Sequence, residues 1–153
     1  MATNLHLLKS RERGIRNSIT KVFIDADAFV ALYYPKDPHY AKALSISNAI
    51  KDMDGYTSYF VLGEAATVIS KYTSLQNASV FIEIVLVSEL TIFSPDHSLF
   101  VKGKEVFERQ TSKNFRFSDA VNIALIKEHG IDAVFSFDNH YKQNGITRVG
   151  IDG

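Results

Sequence analysis

A chain of 153 residues, 46% hydrophobic and 22% charged, is long enough for one continuous core and too apolar for wholesale disorder. It has no cysteine, which excludes disulfides and thiolate metal sites, and its 17 basic and 17 acidic residues leave no global charge to announce a polyanion partner. No apolar run approaches the roughly 20 residues that span a bilayer, so no membrane partner is expected, and the missing cysteines fit a cytoplasmic protein.

The balanced total hides an asymmetry. Residues 1–21 hold five basic residues against one acidic, a net +4, which leaves −4 on residues 22–153. An acid-rich body is compatible with a site that collects cations. Lys9, Arg11, Arg13 and Arg16 interrupt any apolar core of a secretion signal, so residues 1–20 are read as a basic tail, without fixed structure, ahead of a domain over 21–153.

In that domain the apolar run Val22-Phe23-Ile24 predicts a strand ending at Asp25, followed by a helix over 26–34 that stops at Pro35 and Pro38. A second helix is expected over 39–53, ended by Asp54-Gly55, with 56–57 extended. Ser58 is placed to cap a helix over 59–74, apolar on most sides with Glu64 in its middle. Residues 75–89 read as helix, although the β-branched stretch 80–87 makes strand the competing assignment. A strand over 90–93 leads into a helix over 96–111. Ser118 is taken as the cap of a helix through His129, with Gly130 as its stop. Residues 133–137 form an apolar strand ending at Asp138, and 146–149 a last edge strand. Strands alternating with helices predict an α/β fold on a mainly parallel sheet of four to five strands.

Asp25 and Asp138 end strands, Asp119 opens a helix, and Glu64 projects from one. In a parallel sheet such positions converge on one rim. Each has an ordinary explanation alone: a strand end, or an acid favoured by the helix dipole. Glu64 is harder to place so, because a Glu among Val, Leu, Ala and Ile is seldom buried unpaired. Four carboxylates meeting in one pocket require a cation, and oxygen ligands suit Mg²⁺ or Mn²⁺ better than Zn²⁺. Such an ion with open positions for water suits phosphodiester hydrolysis.

In the stretches Val22-Phe23-Ile24-Asp25, Thr57-Ser58-Tyr59-Phe60-Val61-Leu62-Gly63-Glu64, Phe117-Ser118-Asp119-Ala120 and Phe135-Ser136-Phe137-Asp138-Asn139-His140-Tyr141, the chain resembles PIN domains, most of all the small toxin ribonucleases of the VapC type. The resemblance covers about residues 21–150 and implies a three-layer α/β/α fold, a Mg²⁺- or Mn²⁺-dependent endoribonuclease acting on single-stranded RNA, a homodimer, and an antitoxin partner. It implies Asp25, Glu64, Asp119 and Asp138 as catalytic residues, with Asp25, Asp119 and Asp138 on the metal. Asp27 stands where the family usually has Asn, Ser or Thr; it either joins the surroundings of the metal or is a solvated helix-start acid. Ser136 stands where a Ser or Thr near the metal is common. Arg116 is read as a phosphate holder or a solvated surface charge, and His140 as a loop residue or part of the site. Of the eleven Phe and seven Tyr, which could stack on RNA bases, nearly all fit the core periodicity, and none is assigned to substrate.

Two rivals stay open. Asp25-Ala26-Asp27 after a strand also resembles haloacid dehalogenase-like phosphatases, in which Asp25 would be the nucleophile. A PIN-like module that binds RNA or protein without cutting is the non-enzymatic alternative.

Overall fold

The computed structural model describes residues 18–153 and shows a four-stranded, all-parallel sheet flanked by helices. Strands β1 (Lys21–Ile24), β2 (Asp54–Ser58), β3 (Thr91–Phe93) and β4 (Ala133–Phe135) lie in the order β3-β2-β1-β4. The helices are α1 (Ala26–Tyr33), α2 (Tyr40–Ala49), α3 (Tyr59–Tyr72), α4 (Leu75–Leu86), α5 (His97–Glu108), α6 (Phe117–Glu128) and α7 (Asn139–Gln143). The basic tail assigned to residues 1–20 lies, up to residue 17, outside the described residues.

Successive strand residues face opposite ways, so β1 feeds two cores. Phe23, level with Tyr56 and Val134, joins α3, α4 and α6 through Val61, Ile69, Phe81, Val121 and Leu125. Val22, level with Gly55 and Ala133, joins α1 and α2 through Ala28, Ala31, Ala43 and Ile46. A strand buried on both faces is how a parallel sheet must be read, and it accounts for the unbroken apolar run in β1. Because the strands are parallel, Ile24, Ser58, Phe93 and Phe135 end along one rim.

Local signals set several boundaries as expected. Ser58 Oγ accepts from Val61 N–H (3.3 Å), and Asp96 Oδ1 accepts from Leu99 N–H (2.9 Å). Residues 75–86 are helical despite their β-branched composition, because Ala78, Phe81 and Val85 bury one face against α3.

Three expectations are corrected. The second helix ends at Ala49, and Asp54 and Gly55 belong to β2, pairing with Lys21 and Val22. Helix α6 starts at Phe117 with Arg116, not Ser118, at its cap position; the Phe117 ring is drawn into the first turn, where it meets Phe100 and Phe107. Residues 146–149 are no strand: one bridge joins Arg148 to Val134, and the chain turns away at Gly150 (φ +71°).

Helices α5 and α6 cross at Gly103, where a Cβ would stand 2.7 Å from Val121 Cγ2 and 3.1 Å from Val121 Cα. Backbone cannot retreat as a side-chain tip can, so Gly103→Ala is expected to destabilise the fold by about 1–2 kcal/mol in spite of alanine's helix propensity. Gly63→Ala, with nothing within 4 Å of its Cβ, is expected to stabilise slightly. Thermal denaturation of the two variants checks this; a Gly103→Ala melting point at or above the parent's refutes it.

Candidate active site

Asp25 follows β1 directly and occupies the N-cap position of α1 without a side-chain capping bond, so its carboxylate is left free at the rim where strands end and helices begin. It is 5% exposed. Ser136 Oγ lies 3.1 Å from its Oδ2, and Asn122 Nδ2 lies 3.5 Å from its Oδ1. Burial above all, and then the charges of Asp27, Asp119 and Glu64, push its pKa well above the ordinary carboxylate range.

Asp27 is no solvated helix-start acid. Its Oδ2 accepts from Phe137 N–H at 2.9 Å and stands 3.2 Å from Ser136 Oγ, while its Oδ1 is buried without a partner. Burial outweighs these hydrogen bonds and raises its pKa to about 6. Ser136 has one proton for two carboxylates, so it is shared between Asp25 and Asp27; its oxygen also accepts from Asp138 N–H at 3.1 Å.

Asp119, in the first turn of α6, is 5% exposed, and burial followed by the charges of Asp138 and Glu64 raises its pKa to about 6. Asp138 caps α7, accepting from His140 N–H at 2.8 Å, with His140 Nδ1 2.9 Å from the same oxygen. One ligand atom each from Asp119, Asp138 and His140 falls within 4.8 Å of the others. At that separation and an effective dielectric of about 20, a pair of like charges costs about 3 kcal/mol.

Glu64 is placed differently from the expectation. It is not sealed among apolar neighbours: its side chain is 26% exposed and pairs with Arg116, itself 68% exposed. Its charge still raises the pKa values of Asp25 and Asp119, so it borders the same cluster. Asp25, Glu64, Asp119 and Asp138 thus lie near enough for their charges to act on one another, with Asp27 as a fifth acid. Asp25 stands outside the close trio, tied to Ser136 and Asn122 instead.

Two residues went unread in the sequence. Asn122, fully buried, links Asp25 to the Tyr141 hydroxyl (3.3 Å), and it lies three residues after Asp119, on the same helix face. Tyr141 is also buried, and burial with the charges of Asp25 and Asp119 pushes its pKa well above the ordinary phenol value, so it stays protonated. The aromatics are not all core either. Phe60, Phe100, Phe117 and Phe107, each more than a third exposed, run ring against ring.

The donor set fits a hard divalent cation. It offers clustered carboxylate oxygens, one of them buried without a partner on Asp27, and acids whose mutual repulsion only positive charge relieves. Asp119, Asp138 and His140 are the described residues whose ligand atoms lie close enough together to share one ion, with Asp25 beside them. The cavity of about 300 Å³ on the Val22 side of the sheet, lined by Ile24, Ile50, Met53 and Phe135 together with Lys51, Asp54 and Glu89, contains none of the clustered acids. Among the described residues, no helix is long and apolar enough to cross a membrane.

The family model for the PIN domain matches residues 22–146. The crystal structure of Mycobacterium tuberculosis VapC20, a toxin that cleaves the sarcin-ricin loop, superposes with a TM-score of 0.77 at 23% identity over 84% of this chain and 98% of that one. No curated protein matches the sequence.

Proposed function

Because the chain belongs to the PIN domain family, we propose that it is a Mg²⁺- or Mn²⁺-dependent endoribonuclease that hydrolyses single-stranded RNA, acting in the cytoplasm as the toxin of a toxin–antitoxin pair. The observation that carries this reading is the convergence of Asp25, Glu64, Asp119 and Asp138, from four separate elements, on one rim of the sheet. The likeness to VapC20 supports the toxin role and an antitoxin partner, and a homodimer is part of the same proposal.

When bound, the cation supplies an acidified water and charge for the scissile phosphate. The chain's own residues do the rest. Asp25, Asp119 and Asp138 hold the ion, and Ser136 steadies Asp25 from behind. Glu64, at the exposed border of the cluster, would serve as the base that takes the attacking water's proton. Arg116 offers a guanidinium beside Glu64 that a phosphate oxygen can share. Asn122 and Tyr141 line the buried side with neutral polar groups and keep Asp25 in place.

The phosphatase alternative is disfavoured by the match of residues 22–146 to the PIN domain family, and of Asp27 only Oδ1 is left free, since Oδ2 is engaged by Phe137 N–H and Ser136. The non-catalytic alternative has no use for four acids held together against their own repulsion. Incubating the protein with unstructured RNA and Mn²⁺ or Mg²⁺ tests the proposal. Cleavage that stops with a chelator and returns with the ion is expected; no cleavage by the folded protein with either ion refutes it.

A further inference from the structure

After α7 the chain turns at Gly145 (φ +79°) and runs back beside β4, held by Val134 N–H to Thr147 O and Val149 N–H to Val134 O, both 2.9 Å. Arg148 lies at this junction with its side chain only 12% exposed. Its Nε and Nη2 donate to Asp152 Oδ2 (3.0 Å) and Oδ1 (2.9 Å), a two-pronged pair. Asp152 is fixed in turn, accepting from Arg148 N–H at 2.9 Å and donating its own N–H to Arg148 O at 3.0 Å. The remaining Nη1 reaches the other way and donates to Phe137 O at 3.1 Å.

That carbonyl belongs to the turn on which the acid cluster depends. Phe137 N–H holds Asp27, the Ser136 hydroxyl is shared by Asp25 and Asp27, and Asp138 is the next residue. The Phe137 ring stacks on His39 with centroids 4.2 Å apart. The turn thus faces carboxylates on one side and the part-buried Arg148 guanidinium on the other. The guanidinium is also close enough to feel the charges of Asp138 and Asp27. A pair serving only the C-terminus would join Arg148 to Asp152 and end there; the third bond extends it to the site.

Resting on the nuclease reading, we propose that Arg148, anchored by Asp152, is a positioning residue that fixes the Phe137 carbonyl and so aims Asp138 and the groups holding Asp25 and Asp27. Metal affinity then depends on a side chain that contacts none of the acids holding the ion. Lysine cannot replace it, because one ammonium cannot grip the Asp152 carboxylate at two points and also reach the carbonyl.

The test uses the full chain and the variants Arg148→Met, Arg148→Lys and Asp152→Asn. Mn²⁺ affinity is read by titration calorimetry, RNA cleavage at saturating Mn²⁺, and the Phe137 amide resonance by NMR. Partners that orient metal ligands are typically worth 10–100-fold in affinity. A loss of that size is expected for Arg148→Met, a somewhat smaller one for Arg148→Lys, and a few-fold one for Asp152→Asn, each with a shifted Phe137 amide. Should Arg148→Met fail to fold, the two milder variants decide. Affinity within twofold of the parent in both of them overturns the proposal, as does a parent that binds no Mn²⁺. A parent that binds Mn²⁺ without cutting RNA overturns the nuclease reading instead, and the variants' affinities still judge the clamp.

Discussion

Asp119→Asn is expected to reduce RNA cleavage by at least about 10²-fold while making the metal-free protein more stable. The loss follows from removing a carboxylate that is to hold the ion, which exceeds the 10–100-fold cost of disturbing only its supports. The gain in stability follows from the same carboxylate. Asp119 is almost fully buried, and burial with the charges of Asp138 and Glu64 raises its pKa to about 6, so above that pH its ionised form is held against the preference of its surroundings. An amide of the same shape carries no charge and relieves up to about 3 kcal/mol, several degrees in melting temperature for a chain of this size. A structural residue would behave oppositely, with activity falling because the fold is lost. Cleavage assays and thermal melts of the same preparation decide between them. A variant that is both less stable and less active sinks the assignment, and so does one that cuts as well as the parent.

The second large effect is on the pH dependence of the parent protein. Asp27 and Asp119 rise from an ordinary value near 3.8 to about 6 on folding, and Asp25 rises as well. Between pH 4 and 6 the native state therefore holds more protons than the unfolded chain. Stability must fall as pH rises through that window, and the stabilising contribution of protonated Asp27 and Asp119 is lost as pH passes about 6. Asp132 and Asp152 work in the opposite sense, but their pKa values are lowered, that of Asp152 to about 2, so their effect is confined to more acidic solution. Metal-free protein is expected to melt several degrees lower at pH 7.5 than at pH 5. Mn²⁺ at a hundred times its dissociation constant restores about 2.7 kcal/mol at pH 7.5. At pH 4.5, where Asp25 and Asp119 are protonated, it restores little. A metal-free melting point that is flat or rises from pH 5 to 7.5, or one that Mn²⁺ fails to move at pH 7.5, contradicts the cluster.

Both effects arise from residues visible in the sequence before their meeting was. Asp25 stands at a strand end, Asp119 in the first turn of a helix and Glu64 on a helix, set by apolar periodicity and capping within a few residues; Asp138, expected to end a strand over 133–137, instead caps α7 because β4 stops at Phe135. The α/β alternation followed from the same short-range patterns. Boundaries moved where long-range contacts outweighed them: Asp54 and Gly55 look like a helix end but pair with β1, and Phe117 extends α6 because its ring has partners on α5.

By itself, then, the sequence determined the strand–helix order, the four acids and the ligand chemistry that oxygen donors favour, because each depends on residue type and near neighbours. Only the tertiary structure decided the condition of those acids. Asp27 is gripped by Phe137 and Ser136 from 110 and 109 residues away, and Glu64 is steadied at the solvent border by Arg116 across 52. Asn122 bonds Asp25 at a separation of 97, and Arg148 comes back from the C-terminus to hold the Phe137 carbonyl. Desolvation and Coulomb energy depend on distance in space, and no pattern along the chain encodes which distant side chain arrives.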